Sequence, residues 1–236
     1  PVRGSAAVAA WEGRDAMCTN DERRTDVPVE GMDPHGDPAV RQAVALVRAW
    51  TAEAAPALVW EATCAVDRHG LDRIPGHRTT PIVAAIVAAA GETMPHFSLP
   101  AGTGAWSTAD AMATLTGVEL DRATAAGIAS RFGACIARAD PAGVATNVPW
   151  SAAADDAHLV ASAVSRRVAA GVRHLLVNVA VGRGARVQDD ARFNRLKTLF
   201  TAVGAAVGVQ VRIARSAGSQ PVGLGIGPAP EALDVL

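Results

Sequence analysis

An α/β fold with a mixed or parallel sheet flanked by helices is predicted from three features of the sequence. The first is His174-Leu175-Leu176-Val177-Asn178-Val179-Ala180-Val181, a near-continuous apolar run of strand length. The second is the pattern C-terminal to that run. Residues 189–207 place Phe193, Leu196, Phe200 and Val203 on one helical face, and residues 209–214 form another apolar run. Strand, helix and strand at this spacing make a βαβ unit, whose two strands run parallel. The third is the stretch 81–90, apolar nearly all round, which suits a helix buried against a sheet.

Composition bounds the rest. Half of the 236 residues are hydrophobic, enough for a sizeable core. A net charge of −1 supplies no general field for nucleic acid or an anionic membrane, so neither is an expected partner. Cys18, Cys64 and Cys135 are far apart and form no Cys-x-x-Cys or Cys/His ligand pattern. They fit free thiols in a reducing cytoplasm, with no metal. No apolar run reaches the 18 residues of a membrane span. The start, Pro1-Val2-Arg3-Gly4-Ser5, has no signal-peptide form and no initiator Met, as in a processed product or a fragment.

Taken in order, residues 1–37 carry little periodicity and read as a loosely ordered arm. Residues 38–57 are a helical segment with Val40, Ala43, Val44, Val47 and Trp50 on one face, and residues 58–236 form the α/β domain. Residues 57–66, around Leu58-Val59-Trp60, are expected to be a strand. It leads into Val66-Asp67-Arg68-His69-Gly70-Leu71-Asp72-Arg73-Ile74-Pro75-Gly76-His77-Arg78-Thr79-Thr80, read as a turn-rich basic loop. Thr79 or Thr80 caps the next helix, Pro81 suits its first turn, and Gly91 stops it. Cations before a helix N-terminus make an anion site suited to phosphate. The same residues also fit a solvated basic loop before an ordinary helix.

Residues 93–110 are expected to be a small-residue loop. Ser107 or Thr108 then caps a helix running to about residue 115, with Asp110 in its first turn. Further helices span 121–133 and 156–170, the second with Leu159, Ala163, Val164 and Val168 on one side and ended by Gly171. Cys135-Ile136-Ala137 is a short strand between them. Gly182-Arg183-Gly184 reads as a strand-to-helix turn, since a lone Gly-x-Gly is a weak phosphate signal. Residues 216–223 come after a strand's carboxyl end, where open α/β sheets place ligand loops. The chain stops at Leu236 within a predicted helix.

Four motifs occur in one order: Pro75-Gly76-His77-Arg78-Thr79-Thr80-Pro81-Ile82-Val83, Ser107-Thr108-Ala109-Asp110-Ala111-Met112, Leu159-Val160-Ala161-Ser162-Ala163-Val164-Ser165-Arg166-Arg167, and Gly218-Ser219-Gln220-Pro221-Val222-Gly223-Leu224-Gly225-Ile226-Gly227-Pro228-Ala229. That set resembles the thymidine phosphorylase family, in the branch that also holds AMP phosphorylase, over residues 50–236. The resemblance implies an α-helical portion, here reduced, beside a nucleoside phosphorylase-like α/β domain that is incomplete at its C-terminal end. It implies a pentosyltransferase, usually a homodimer, which cleaves a nucleoside or nucleotide with inorganic phosphate as co-substrate and needs no metal or organic cofactor. It places phosphate contacts at Arg68, His69, Thr79, Thr80, Ser98 and Thr108, base contacts at Ser162 and Arg166, and catalytic roles at His69 and Arg166.

Several family positions differ. Arg68 stands for a lysine and Gly70 for a hydroxyl or thiol residue. Asp72 and Arg73 replace paired glycines, Leu99-Pro100 a Ser-Arg, and Trp106-Ser107 an Ala-Gly. Arg166 replaces a lysine, and Asn147-Val148-Pro149 lacks the base-binding arginine. Three readings are open: a phosphorylase with an altered site, an inactive relative that binds a phosphorylated ligand or a protein, or a truncated piece with no independent function.

Overall fold

The computed structural model describes residues 36–52, 54, 58, 60, 65–71, 79–98, 106–144 and 155–236. The elements are α1 (Pro38–Ala52), β1 (Val66–Leu71), α2 (Thr79–Ala89), β2 (Met94–Ser98), α3 (Thr108–Met112), α4 (Arg122–Phe132), β3 (Ala134–Arg138), α5 (Asp156–Ala169), β4 (His174–Val181), α6 (Asp190–Ala206), β5 (Gln210–Ala217) and α7 (Pro228–Leu233).

All strand pairs among these residues are parallel. β4 lies between β1 and β5, and β2 pairs with β3. The two sheets touch at one bridge, Ala65 with Thr93, where the Val66 N–H donates to the Thr93 carbonyl at 2.9 Å. The spatial order is therefore β3-β2-β1-β4-β5. The order reverses between β1 and β4, and in doubly wound sheets such a reversal opens the ligand crevice at the strands' carboxyl ends.

Helices cover both faces. On one, α1, α5 and α6 bury Val47, Val160, Val164, Leu196, Phe200 and Val203 against Leu71, Leu175, Val177 and Val179. On the other, α2 sets Ala84 and Val87 against Met94, with Val66 and Ala134 alongside. α4 packs Ala125 and Ala129 on Phe97, Cys135 and Ala137, which alternate with Met94 and Ala134, so α4 lies on the face opposite α2. Side chains alternate along a strand. Arg68 thus shares the α2 face with Val66, whereas Asp67 and His69 share the α5/α6 face with Leu71.

Helix starts coincide with their capping residues. Asp121, Asp155 and Asp189 each accept from a backbone N–H three residues on. Ser107 and Asp110 form a reciprocal capping box at the start of α3. No described helix is long and apolar enough to cross a membrane.

Three expectations are corrected. The residues at 66–71, read as the start of a basic loop, are strand β1, and Leu58 and Trp60 of the expected strand are not in one. Residues 94–98, read as loop, are strand β2. Neither Thr79 nor Thr80 caps α2 through its hydroxyl. The helix already begins at Thr79, and the Thr80 hydroxyl is bound by Arg68. Residues 1–35 of the proposed arm, Cys18, Cys64, Asp72, Arg73, Leu99-Pro100 and Asn147-Val148-Pro149 lie outside the described residues.

Candidate active site

The reason β1 is a strand despite its polarity lies in where its charges go. Asp67 and Arg68 are 3% and 4% exposed, so each needs a partner. Asp67 reaches into the opening between β1 and β2, where its Oδ1 lies 2.7 Å from His96 Nδ1. Its Oδ2 lies 2.8 Å from Arg167 Nε on α5, an ion pair in which the N–H is not aimed along the contact. Arg167 also donates from Nη2 to the Arg68 carbonyl at 2.7 Å. Burial pushes the Asp67 carboxyl up. Arg167, His96 and the Arg68 backbone N–H outweigh it and hold Asp67 below its usual range.

On the α2 face, Arg68 donates from Nη1 to Thr80 Oγ1 at 2.9 Å. This sets a guanidinium at the first turn of an 11-residue helix, the end at which an α-helix has N–H groups without intrahelical partners. Thr79 Oγ1 is buried beside it with no hydrogen-bond partner among the described residues. Ser98 ends β2 on the same face, by alternation from Met94, and is buried.

Thr108 is buried in the first turn of α3. It connects to the Ser98 region through ions. Asp110 binds Arg138 at 2.7 Å, and Arg138 stands in register with Ser98. Glu119 contacts Arg138 as well. Asp110 is thus a capping and pairing residue. Burial pushes its carboxyl up, but the Ser107 hydrogen bonds and Arg138 hold it below its usual range.

His69, Ser162 and Arg166 belong to the other side. The His69 ring is half-buried on the α5/α6 face, 6.5 Å from the Phe200 ring. Burial, then Arg167, Arg166, Arg68 and His96, holds it well below the usual histidine range, so the imidazole is neutral at pH 7. Arg166 donates from Nη1 to Ser162 Oγ at 3.2 Å, one helical turn away. Burial and then Arg167 push its guanidinium down to about 9, against the pull of Asp67, so it remains charged at pH 7.

The expected site therefore separates into two clusters divided by the sheet. Arg68, Thr79, Thr80 and Ser98 gather on the α2 face, with Thr108 nearby; His69, Ser162 and Arg166 gather on the α5 face. Asp67, His96 and Arg167 join the clusters and were not singled out in the sequence. Arg167 follows Arg166, and Asp67 is the second residue of the basic 66–80 stretch. No cluster of three or more His, Cys, Asp or Glu among the described residues could hold a metal.

The chain is 43% identical over 186 residues to a protein of Maricaulis maris provisionally named a thymidine phosphorylase, covering 76% of this chain and 36% of that one. A similarly named protein of Cupriavidus necator is 41% identical over 208 residues, covering 85% and 40%. The chain belongs to the thymidine phosphorylase family. A bifunctional ribose 1,5-bisphosphokinase-thymidine phosphorylase of Azorhizobium caulinodans is 38% identical over 201 residues, 82% of this chain and 29% of that one. The chain spans 29–40% of these three relatives' lengths. No family model matches it.

Proposed function

We propose that this chain carries the phosphate-binding half of a nucleoside or nucleotide phosphorylase, and that it takes part in cleaving a glycosidic bond to a free base and a sugar 1-phosphate. The observation that carries this is the first turn of α2. Arg68 donates to Thr80 there, beside the buried Thr79 hydroxyl, which has no hydrogen-bond partner among the described residues. A cation, two hydroxyls and a helix N-terminus are the parts that hold an oxyanion.

Charge dictates the mechanism. As the base leaves, the sugar carbon becomes oxocarbenium-like and phosphate attacks it from the opposite face. The carbon–nitrogen bond's electrons go to the base and a carbon–oxygen bond forms to phosphate. Arg68, Thr79, Thr80, Ser98 and Thr108 hold the attacking phosphate. Ser162 and Arg166, linked to the α2-face cluster through Arg167 and Asp67, meet the base, and the Arg166 charge stabilises negative charge developing on it. His69, neutral at pH 7, serves as a polar contact and hydrogen-bond donor, not as an acid.

A second reading is favoured by the Arg166–Ser162 bond. The two base-side residues satisfy each other, as in a relative that binds phosphate without catalysis. Melting the chain with and without millimolar phosphate, alongside free-base release from thymidine, AMP and related substrates, tests both. Phosphate at a hundredfold its Kd adds about 2.7 kcal/mol. Phosphorolysis requires stabilisation that Arg68→Ala removes, together with base release. Stabilisation without release selects the binding protein. Stabilisation unchanged by Arg68→Ala rejects the site.

A further inference from the structure

A phosphate held at the first turn of α2 can attack only a sugar carbon that lies against it, so the sugar must sit beside the α2-face cluster. A sugar offers hydroxyls and no charge, and neutral side chains that both donate and accept are its natural partners. Asn178 on β4 and Ser216 on β5 meet that description, and neither belongs to the four family motifs.

Strand register places the pair. Arg68 and Gly70 alternate onto the α2 face, and Gly70 is level with Asn178 on β4. Asn178 is level with Ala214 on β5, and Ser216 follows two positions on, so all of them share that face. The Asn178 Nδ2 donates to Ser216 Oγ at 3.1 Å, which draws the amide toward the carboxyl end of the sheet. β1 stops at Leu71, level with Val179, whereas β4 and β5 continue to Val181 and Ala217. Asn178 and Ser216 therefore edge the crevice opened where the strand order reverses. Gly70 has no side chain to cover the amide from the β1 side.

The polarity of this strip sets it apart from the rest of β4. Parallel strands covered on both faces read as continuous apolar runs, and Asn178 is the one polar residue between Leu175 and Val181. Leu175, Val177 and Val179 enter the α5/α6 core. Leu176 and Ala214, on the Asn178 side, are half-buried and join no apolar core among the described residues. An amide has two donors and two acceptor lone pairs, more than the Ser216 bond uses.

We propose that Asn178, braced by Ser216, contacts a hydroxyl of the pentose, so that the site binds a pentose 1-phosphate more tightly than a phosphate without a sugar. The proposal rests on the phosphate-binding reading above and adds the sugar's contact to it.

The test is calorimetric titration of the full chain with ribose 1-phosphate, methyl phosphate and orthophosphate. Methyl phosphate is a phosphate monoester with no hydroxyl on its organic group. We expect ribose 1-phosphate to bind more tightly than methyl phosphate. Asn178→Ala should weaken ribose 1-phosphate by about tenfold, as for one neutral hydrogen bond, and leave methyl phosphate unchanged. Arg68→Ala should weaken all three ligands. NMR of the unmodified chain gives the same answer without a variant, because the Asn178 side-chain amide signal should move with ribose 1-phosphate beyond its response to methyl phosphate. Equal wild-type affinity for the two esters, equal losses for both in Asn178→Ala, a margin that survives that variant, or an amide signal that responds alike to both overturns the sugar contact and leaves the phosphate site standing. Failure of wild-type protein to bind any of the three ligands overturns both.

Discussion

At the scale of single residues, Asp67 holds the site's parts in place. One carboxylate, 3% exposed, engages β1, β2 and α5 through its own backbone neighbour, His96 and Arg167. Removing it leaves a buried arginine with an uncompensated charge, which costs about 3–5 kcal/mol. Asp67→Ala is therefore expected to destabilise the chain by about 3 kcal/mol in denaturant unfolding. Asp190 offers the contrast. It is 2.7 Å from Arg215, but both side chains are more than half exposed, and Asp190→Ala should cost less than about 1 kcal/mol. Equal losses at the two positions would show that the buried cluster contributes no more than a solvated pair. The sequence hid this cluster for a physical reason. Asp67 and His96 are 29 positions apart and Arg68 and Arg167 are 99 apart, and only parallel strand pairing with the α5 crossover brings them together.

At the scale of elements, strands read well where burial followed a simple pattern and failed where polarity was satisfied internally. β4 and β5, α5 and α6 showed in the sequence because their apolar residues recur at strand or helix spacing. β1 did not: Asp67, Arg68 and His69 look like loop residues until their partners are known. β2 was obscured by Pro95. The Met94 N–H donates to Gly133 at 2.9 Å on the β3 side, so the next residue's nitrogen points toward β1. The strands have parted there past the bridge, and a proline sacrifices no ladder bond. The four ordered motifs carried the family, because motif order survives when local periodicity does not. The residues of the α2-face cluster were legible from those motifs and from the cations that precede a helix start, but their division from Ser162 and Arg166 by the sheet was not.

Two glycines test the element packing in opposite directions. At Gly182, φ is 158° and an added Cβ would meet the Gly218 carbonyl carbon at 2.8 Å. This close approach of the β4 and β5 ends leaves no room, so Gly182→Ala should cost about 1–3 kcal/mol through backbone displacement. Gly127 lies inside α4, and an added Cβ there meets nothing within 4 Å. Gly127→Ala should stabilise by up to about 1 kcal/mol through helix propensity. Both are read from thermal or denaturant unfolding. Matching signs would mean that the β4–β5 contact or the α4 assignment is wrong.

At the scale of the whole molecule, two half-buried histidines contribute acid sensitivity. His69 is held well below its usual range by burial and then by cations. His174 on β4 is lowered by burial and then by Arg173 and Arg212, against a hydrogen bond involving Gln210. In the unfolded chain each takes up a proton as pH falls through 6.5, whereas in the folded chain each stays neutral to lower pH. The unfolded state therefore binds more protons below that value. Stability is full above pH 6.5 and declines beneath it, by up to about 1.4 kcal/mol per pH unit for each histidine. Asp67 acts lower down. Its depressed carboxyl supports the fold above the unfolded value of 3.8, and that support is lost only as pH falls below it. Below pH 6.5 His69 and His174 each add to the slope, and His69→Gln should remove the share that His69 contributes. Unfolding free energies at pH 7.5, 6 and 5 for wild-type and His69→Gln chains measure that share directly. An unchanged slope in the variant would mean that His69 is solvated in the native chain, and its desolvation between β1, α5 and α6 would have to be abandoned.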